Sequence, residues 1–321
     1  MRIAVLDDYA NVSQTVADWS GLADSEVTVF NNTLTDPAEL VQRLLPFEVI
    51  CVMRERTPFP ASLINSLPAL KLIVTSGPRN LSIDLNAAAA QNVTVCGTES
   101  RKTTTSELAT LMMLALSRNL LPEVDAMRTS GWQGSLGRDL HGLSLGLIGL
   151  GKIGVQMGLL GKAFGMQVNA WSPNLTSDRC AEHDVQFQSS LNALMSASDV
   201  VSVHMVLSER STNLVDTEAF ASMRDSAIFI NTSRGPIANE QALLKGLQAG
   251  KPWKAGLDVY DQEPLPMDSP LRNEELVKAG RLLLAPHLGY VTEQTWQLFY
   301  SQTVEAIQAW KNGKPIRVLS A

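Results

Sequence analysis

At 321 residues the chain is about twice the length of an ordinary domain of roughly 150, so two domains with separate cores are expected. With 45% apolar and 18% charged residues, it has the composition of a folded α/β protein rather than a disordered or collagen-like one. The net charge of −6, from 26 Lys and Arg against 32 Asp and Glu, with no dense basic run, argues against nucleic acid and anionic membrane as partners.

The first eight residues, Met1-Arg-Ile-Ala-Val-Leu-Asp7-Asp8, turn acidic too soon for a signal peptide, and no uncharged apolar run reaches the roughly 18 residues of a membrane span. Cys51, Cys96 and Cys180 form no Cys-x-x-Cys pair and read as buried thiols of a reducing compartment. A cytoplasmic protein is the default expectation.

Short β-branched runs at 3–6, 27–30, 49–53, 72–75 and 93–96 alternate with helical stretches such as 37–45, a pattern that predicts a parallel sheet with crossover helices. The apolar segment 107–118 predicts a helix buried on several faces, suited to a place between domains or to an oligomer interface. A second series of six strands follows at 145–148, 167–171, 200–204, 227–231, 255–259 and 281–285, and a last helix at 293–310. No low-complexity linker divides the two series. The expected organisation is an α/β protein with two doubly wound domains, 1–99 with 290–321 and 100–289, the first built from both ends of the chain.

Strand 145–148 runs into Gly149-Leu-Gly151-Lys152-Ile153-Gly154, followed by a helix. In a Rossmann-type domain Gly149 would allow the tight turn, Gly151 the approach of a pyrophosphate, and Gly154 close packing of helix on strand, with the helix N-terminus facing the phosphates. An acid should stand about 20 positions on to bind the adenosine ribose. Ser172 occupies that place, followed by Pro173 and Asn174, with Arg179 the nearest candidate for a 2′-phosphate, so NAD and NADP both stay open.

Ligands of open α/β sheets sit beyond the carboxyl ends of the strands. Three of those ends release chemistry: Asn231-Thr-Ser-Arg234-Gly235 a guanidinium, Gly256-Leu-Asp258-Val-Tyr-Asp-Gln-Glu263-Pro264 carboxylates, and Pro286-His287-Leu-Gly289 a histidine. A forked cation for a carboxylate, a proton carrier and an acid to orient it are what hydride transfer on a 2-keto or 2-hydroxy acid requires. Each residue alone has an ordinary structural role open to it; the coincidence of three at one sheet edge favours catalysis.

On these stretches the chain resembles the D-isomer-specific 2-hydroxyacid dehydrogenases along nearly its whole length. The resemblance implies a Rossmann-type cofactor domain inserted into a flavodoxin-like substrate domain, closure by domain rotation, and a homodimer. It implies His287 as acid/base, Glu263 as its partner, and Arg234 as the residue that binds and polarises the substrate. It further implies a cofactor site of Gly149, Gly151, Lys152, Ile153, Gly154, Ser172, Met205, Val206, Thr212, Thr232, Ser233, Asp258, His287 and Gly289, Asp258 facing the nicotinamide, with NAD slightly favoured. Arg54, Ser76 and Gly77 would contact the substrate, the loop at 75–80 through its backbone amides; a surface salt bridge is the equal alternative for Arg54.

Three departures from the family pattern stand out: Ser172 for the acid, a loop at 76–80 without its second glycine, and no proline after His204. The chain ends at Ala321, so a C-terminal regulatory domain with serine feedback is not expected. The competing function is a non-catalytic dinucleotide-sensing protein resembling the C-terminal-binding corepressors. A formate dehydrogenase, which typically pairs its histidine with glutamine, is disfavoured by Glu263.

Overall fold

A computed structural model describes residues 1–101 and 103–320 and divides the chain into two compact units, Met1–Arg101 with Val291–Ala321 and Lys102–Tyr290. In the first unit the strands β1 (Arg2–Val5), β2 (Glu26–Val29), β3 (Val49–Val52), β4 (Leu72–Thr75) and β5 (Thr94–Gly97) form one sheet in the order β2-β1-β3-β4-β5. Every pairing is parallel. The central strands β3 and β4 are buried along their whole length because helices cover both faces, which is why they read as continuous apolar runs instead of alternating ones. The helix Glu293–Lys311 closes this unit by packing on β4 and β5, with Phe299, Val304 and Ile307 buried.

The second unit contains β6 (Ser144–Ile148), β7 (Gln167–Trp171), β8 (Gln186–Phe187), β9 (Val200–Val203), β10 (Ile228–Asn231), β11 (Lys254–Leu257) and β12 (Leu282–Leu284). Their order is β12-β11-β10-β9-β6-β7-β8, all parallel, the doubly wound dinucleotide-binding order extended by one strand. The expected six strands become seven. The additional one, β8, is two exposed residues hydrogen-bonded at the edge of β7, too short to leave a periodic signal.

The apolar stretch at 107–118 belongs to the helix Thr104–Ser117, which lies inside the second unit against β10, β11 and the helix Lys152–Ala163. It is therefore core rather than an inter-domain spacer: Met112 and Leu116 pack over Gly256 of β11. At the opposite ends of the strands, Asp199 collects the backbone amide and hydroxyl of Ser144 at 2.9 and 2.7 Å and the Arg224 guanidinium at 3.0 Å. Burial alone pushes the Asp199 carboxyl up; these donors outweigh it and hold the group below its ordinary value.

Both sheets change direction of winding at one place, β1/β3 in the first unit and β6/β9 in the second, and in folds of this kind ligands gather there. The glycine loop leaves β6 at the second of these points, and Arg54 follows β3 at the first. Among the described residues no helix is long and apolar enough to cross a membrane.

Candidate active site

The glycine loop is shaped by two close approaches. Gly149 has φ 104°, and a Cβ there would lie 2.6 Å from the carbonyl oxygen of His204, at the end of the neighbouring strand β9. A Cβ on Gly154 would meet the carbonyl oxygen of Gly149 at 2.1 Å, so only glycine lets the first turn of the helix Lys152–Ala163 sit this close to the strand. Gly151 faces open space and is exposed, as are Lys152 and, in part, Ile153. At the ends of β9 and β10 two buried polar atoms, His204 Nε2 and Thr232 Oγ1, have no hydrogen-bond partner among the described residues. A backbone cradle at a helix N-terminus next to unsatisfied buried polar atoms fits a dinucleotide, whose pyrophosphate accepts from amides and whose nicotinamide end carries hydrogen-bonding groups.

Met205, Val206, Thr212, Thr232 and Ser233 of the predicted cofactor set follow β9 and β10. Ser233 donates its hydroxyl to the carbonyl of Met205, tying those two loops together, and Val206 is exposed beside it. Thr212 spends its hydroxyl on the carbonyl of Ser208 at 2.9 Å. Ser172 stands half-buried just after β7, whose last carbonyl, that of Trp171, accepts the Gly149 amide at 2.8 Å.

Beyond the ends of β10, β11 and β12 stand Arg234, Glu263 and His287, the last two in contact. Arg234 follows β10 through a turn in which the Asn231 side chain accepts the Ser233 amide at 3.0 Å and donates to the Arg234 carbonyl at 2.9 Å, and the Arg234 guanidinium donates to the Ser233 carbonyl at 2.7 Å. Glu263 comes from the loop after β11, where its Oε1 accepts the Tyr260 amide at 3.0 Å. His287 follows β12, and its Nδ1 lies 2.6 Å from Glu263 Oε2, with both side chains less than one-fifth exposed. Its ring meets that of Tyr290 edge to face at 5.0 Å. His287 has φ 55°, a left-handed conformation that costs a residue with a Cβ roughly 1–2 kcal/mol.

Asp258 holds that conformation. Its Oδ1 accepts the Leu288 amide at 2.6 Å and its Oδ2 the Gly289 amide at 2.8 Å, so the turn that carries His287 is fastened to the end of β11. Tyr260 adds a second tie by donating its hydroxyl to the Ala285 carbonyl at 2.8 Å. Burial, then the neighbouring carboxylates of Asp258 and Glu263, push the Tyr260 hydroxyl up, which keeps its proton on that bond. Asp258, expected to face the nicotinamide, is buried, and each of its carboxylate oxygens accepts one backbone amide of the turn that carries His287. Gly289 is likewise buried, its carbonyl accepting the Thr105 hydroxyl.

In the first unit the loop after β4 also differs from expectation. The Ser76 amide donates to the Val52 carbonyl at 3.0 Å and the Gly77 amide to the Thr98 hydroxyl at 2.7 Å, so neither is left for a carboxylate. Ser76 Oγ instead accepts the Arg54 amide at 3.0 Å, and Asn80 donates to the Arg54 carbonyl. These contacts fix Arg54, itself left-handed at φ 52°, with a guanidinium nitrogen 2.6 Å from where a Gly77 Cβ would stand. Its Nε lies 3.8 Å from Glu55 Oε2, an ion pair between half-buried side chains.

All three cysteines are buried, and burial lifts Cys51 to about 12 and Cys96 to about 11, so neither is a nucleophile at neutral pH.

The model of the NAD-binding domain of D-isomer-specific 2-hydroxyacid dehydrogenases matches residues 110–289. The chain is 31% identical to a glycerate dehydrogenase of Methylorubrum extorquens over 92% of each chain. It is 31% identical to a D-3-phosphoglycerate dehydrogenase of Archaeoglobus fulgidus over 87% of its own length but spans only 52% of that protein. Among solved structures, a phosphoglycerate oxidoreductase of Vibrio cholerae superposes with a TM-score of 0.90 at 33% identity, covering 98% of this chain and 99% of the other.

Two outcomes follow from the site geometry. Asp258→Asn removes one of the two acceptors for the 288–289 amides; turnover should fall about 10- to 100-fold and stability by roughly 1–3 kcal/mol, with cofactor affinity unchanged, in steady-state kinetics, urea melts and a binding titration. Full turnover in a folded variant would remove Asp258 from the positioning role. Burial lowers His204 from 6.5 to about 4, so the unfolded chain binds a proton between those values that the folded one does not. As pH falls from 6.5 towards 4 the wild type should therefore lose roughly 1–3 kcal/mol more than His204→Gln in parallel urea melts, whereas equal losses would show that His204 titrates normally in the fold.

Proposed function

Because the chain belongs to the D-isomer-specific 2-hydroxyacid dehydrogenases, we propose that it interconverts a 2-keto acid and the corresponding D-2-hydroxy acid with His287 as the acid/base. The observation that carries this reading is the 2.6 Å contact between His287 Nδ1 and Glu263 at the carboxyl edge of a dinucleotide-binding sheet. A nicotinamide dinucleotide supplies the hydride to the carbonyl carbon in reduction and takes it back in oxidation. The chain's own residues manage the proton and the charge. Glu263 holds Nδ1, which leaves Nε2 as the nitrogen that delivers a proton to the developing alkoxide, or removes it in the reverse direction. Arg234 polarises the carbonyl and binds the adjacent carboxylate, a planar fork matched to a planar anion. Gly149, Gly151, Lys152, Ile153 and Gly154 hold the pyrophosphate, with Thr232 and His204 offering their unsatisfied atoms to the rest of the dinucleotide.

The first unit carries the substrate-binding role and the second the cofactor, and Arg54 supplies the first unit's charge for an anionic substrate. The relatives act on small oxygenated acids by name, among them glycerate, glyoxylate and hydroxypyruvate. Substrates of that class are short and polar, with one or two anionic groups for which a guanidinium is a matched partner. Three buried free thiols suit a reducing cytoplasm.

We further place the protein as a homodimer. The helix Leu120–Arg128 buries none of its residues, and with the following segment it exposes Leu121, Val124, Met127, Trp132 and Leu136, an apolar surface unusual for a monomer. Sedimentation equilibrium should return twice the 34.8 kDa of one chain, and Met127→Asp with Leu136→Asp should return it to the monomer; a monomeric wild type would overturn the assignment.

The enzymatic reading is tested by loss of NADH and NADPH absorbance against glyoxylate, hydroxypyruvate, pyruvate, phenylpyruvate and 3-phosphohydroxypyruvate. At least one should be reduced, and His287→Ala should lower turnover about 10²- to 10⁴-fold without loss of cofactor binding. Cofactor binding with no turnover on any keto acid would move the assignment to a dinucleotide-sensing protein.

A further inference from the structure

The loop that follows β7 is where a dinucleotide-binding sheet discriminates between the two nicotinamide cofactors, since a carboxylate there accepts from the ribose hydroxyls of NAD and repels the 2′-phosphate of NADP. In this chain Trp171-Ser-Pro-Asn-Leu-Thr176 contains no acid. Arg179, the arginine nearest in sequence, is engaged: its Nη1 lies 2.6 Å from Glu182 Oε2 one turn along the same short helix. A different arginine reaches the loop. Arg210, 36 positions from Asn174, directs Nη2 to Asn174 Oδ1 at 3.4 Å from the turn Glu209–Ser211 after β9.

That turn is stiff enough to present a charge. The Ser211 hydroxyl accepts the Ser208 amide at 2.7 Å and donates to the Val206 carbonyl at 2.9 Å, and Thr212 closes the turn onto Ser208. The guanidinium itself is exposed, and its partner on the loop is a neutral amide at long distance, a contact that a doubly charged phosphate can displace or share. Ser172, half-buried at the strand end, adds a hydroxyl donor on the same loop.

We infer that the protein selects NADP(H) over NAD(H), with Arg210, Ser172 and Asn174 forming the recognition site for the 2′-phosphate. The inference rests on the dehydrogenase reading above and names the cofactor that reading leaves open. A 2′-phosphate carries close to two negative charges and three acceptor oxygens, for which a guanidinium fork and a hydroxyl are matched donors. Where the ribose bears only hydroxyls, Arg210 has no anion to meet and contributes little.

The test is direct titration of the purified full chain with NADPH and with NADH, followed by tryptophan fluorescence and calorimetry, in wild type, Arg210→Ala and Ser172→Asp. NADPH should bind at least ~10-fold more tightly than NADH. Arg210→Ala should weaken NADPH ~10- to 100-fold and NADH less than ~2-fold, and Ser172→Asp should reverse the preference. Raising ionic strength should weaken NADPH more than NADH, since only NADPH carries the additional 2′-phosphate charge. Tighter or equal binding of NADH by the wild type overturns the inference and leaves the dehydrogenase intact. Equal weakening of both cofactors in Arg210→Ala also overturns it, since that result assigns Arg210 to the adenine that they share. Failure of both dinucleotides to bind overturns the dehydrogenase reading together with this inference.

Discussion

Two backbone amides, those of Leu288 and Gly289, converge on the buried carboxylate of Asp258, and the arrangement of the acid–base pair depends on that contact. A histidine in a left-handed conformation relaxes unless its neighbours are held, and here the restraint comes from the adjacent strand rather than from the turn's own residues. The Tyr260 hydroxyl on the Ala285 carbonyl restrains the same turn from its other side. With the turn fixed, Glu263, whose second oxygen holds the Tyr260 amide, meets His287 without further adjustment. One loop after β11 thus supplies the fastening, the brace and the histidine's partner.

The glycine loop follows a comparable logic at the end of β6, on the same edge of the sheet. Gly149 and Gly154 touch each other and the end of β9, so the cradle is set by packing before any ligand arrives. Gly151, by contrast, faces nothing within the protein. Rigid backbone with one open face, next to buried polar atoms lacking partners, is the form a site takes when the missing partners belong to the ligand.

Much of the fold was legible because parallel strands covered on both faces are plain apolar runs, and the restart of the pattern at residue 143 marked a second sheet. The edge strand β8 escaped, since two exposed residues carry no period. The strand-end residues Arg234, Glu263 and His287 could be singled out because a polar side chain directly after a buried run is conspicuous in sequence. What a residue does there was less legible. That Asp258 gathers the amides of Leu288 and Gly289 is invisible in sequence, because those partners come from the end of another strand. The amides of Ser76 and Gly77 carry no side-chain signal at all, and their partners, Val52 and Thr98, are assembled by the sheet. Arg210 and Asn174 are brought together by the doubly wound topology across 36 positions, a distance over which spacing conveys nothing.

The first unit draws on both ends of the chain, which gives its synthesis a timetable. Strands β1 to β5 leave the ribosome early, but the helix Glu293–Lys311 that covers β4 and β5 follows only after the second unit's roughly 190 residues, about 10 to 40 s later at ordinary elongation rates. During that interval an apolar sheet face built from strands such as β3 and β4 awaits Phe299 and Ile307 while the second unit folds. Until that helix arrives the nascent chain carries an uncovered apolar sheet face, the kind of surface on which partly made chains aggregate and chaperones act.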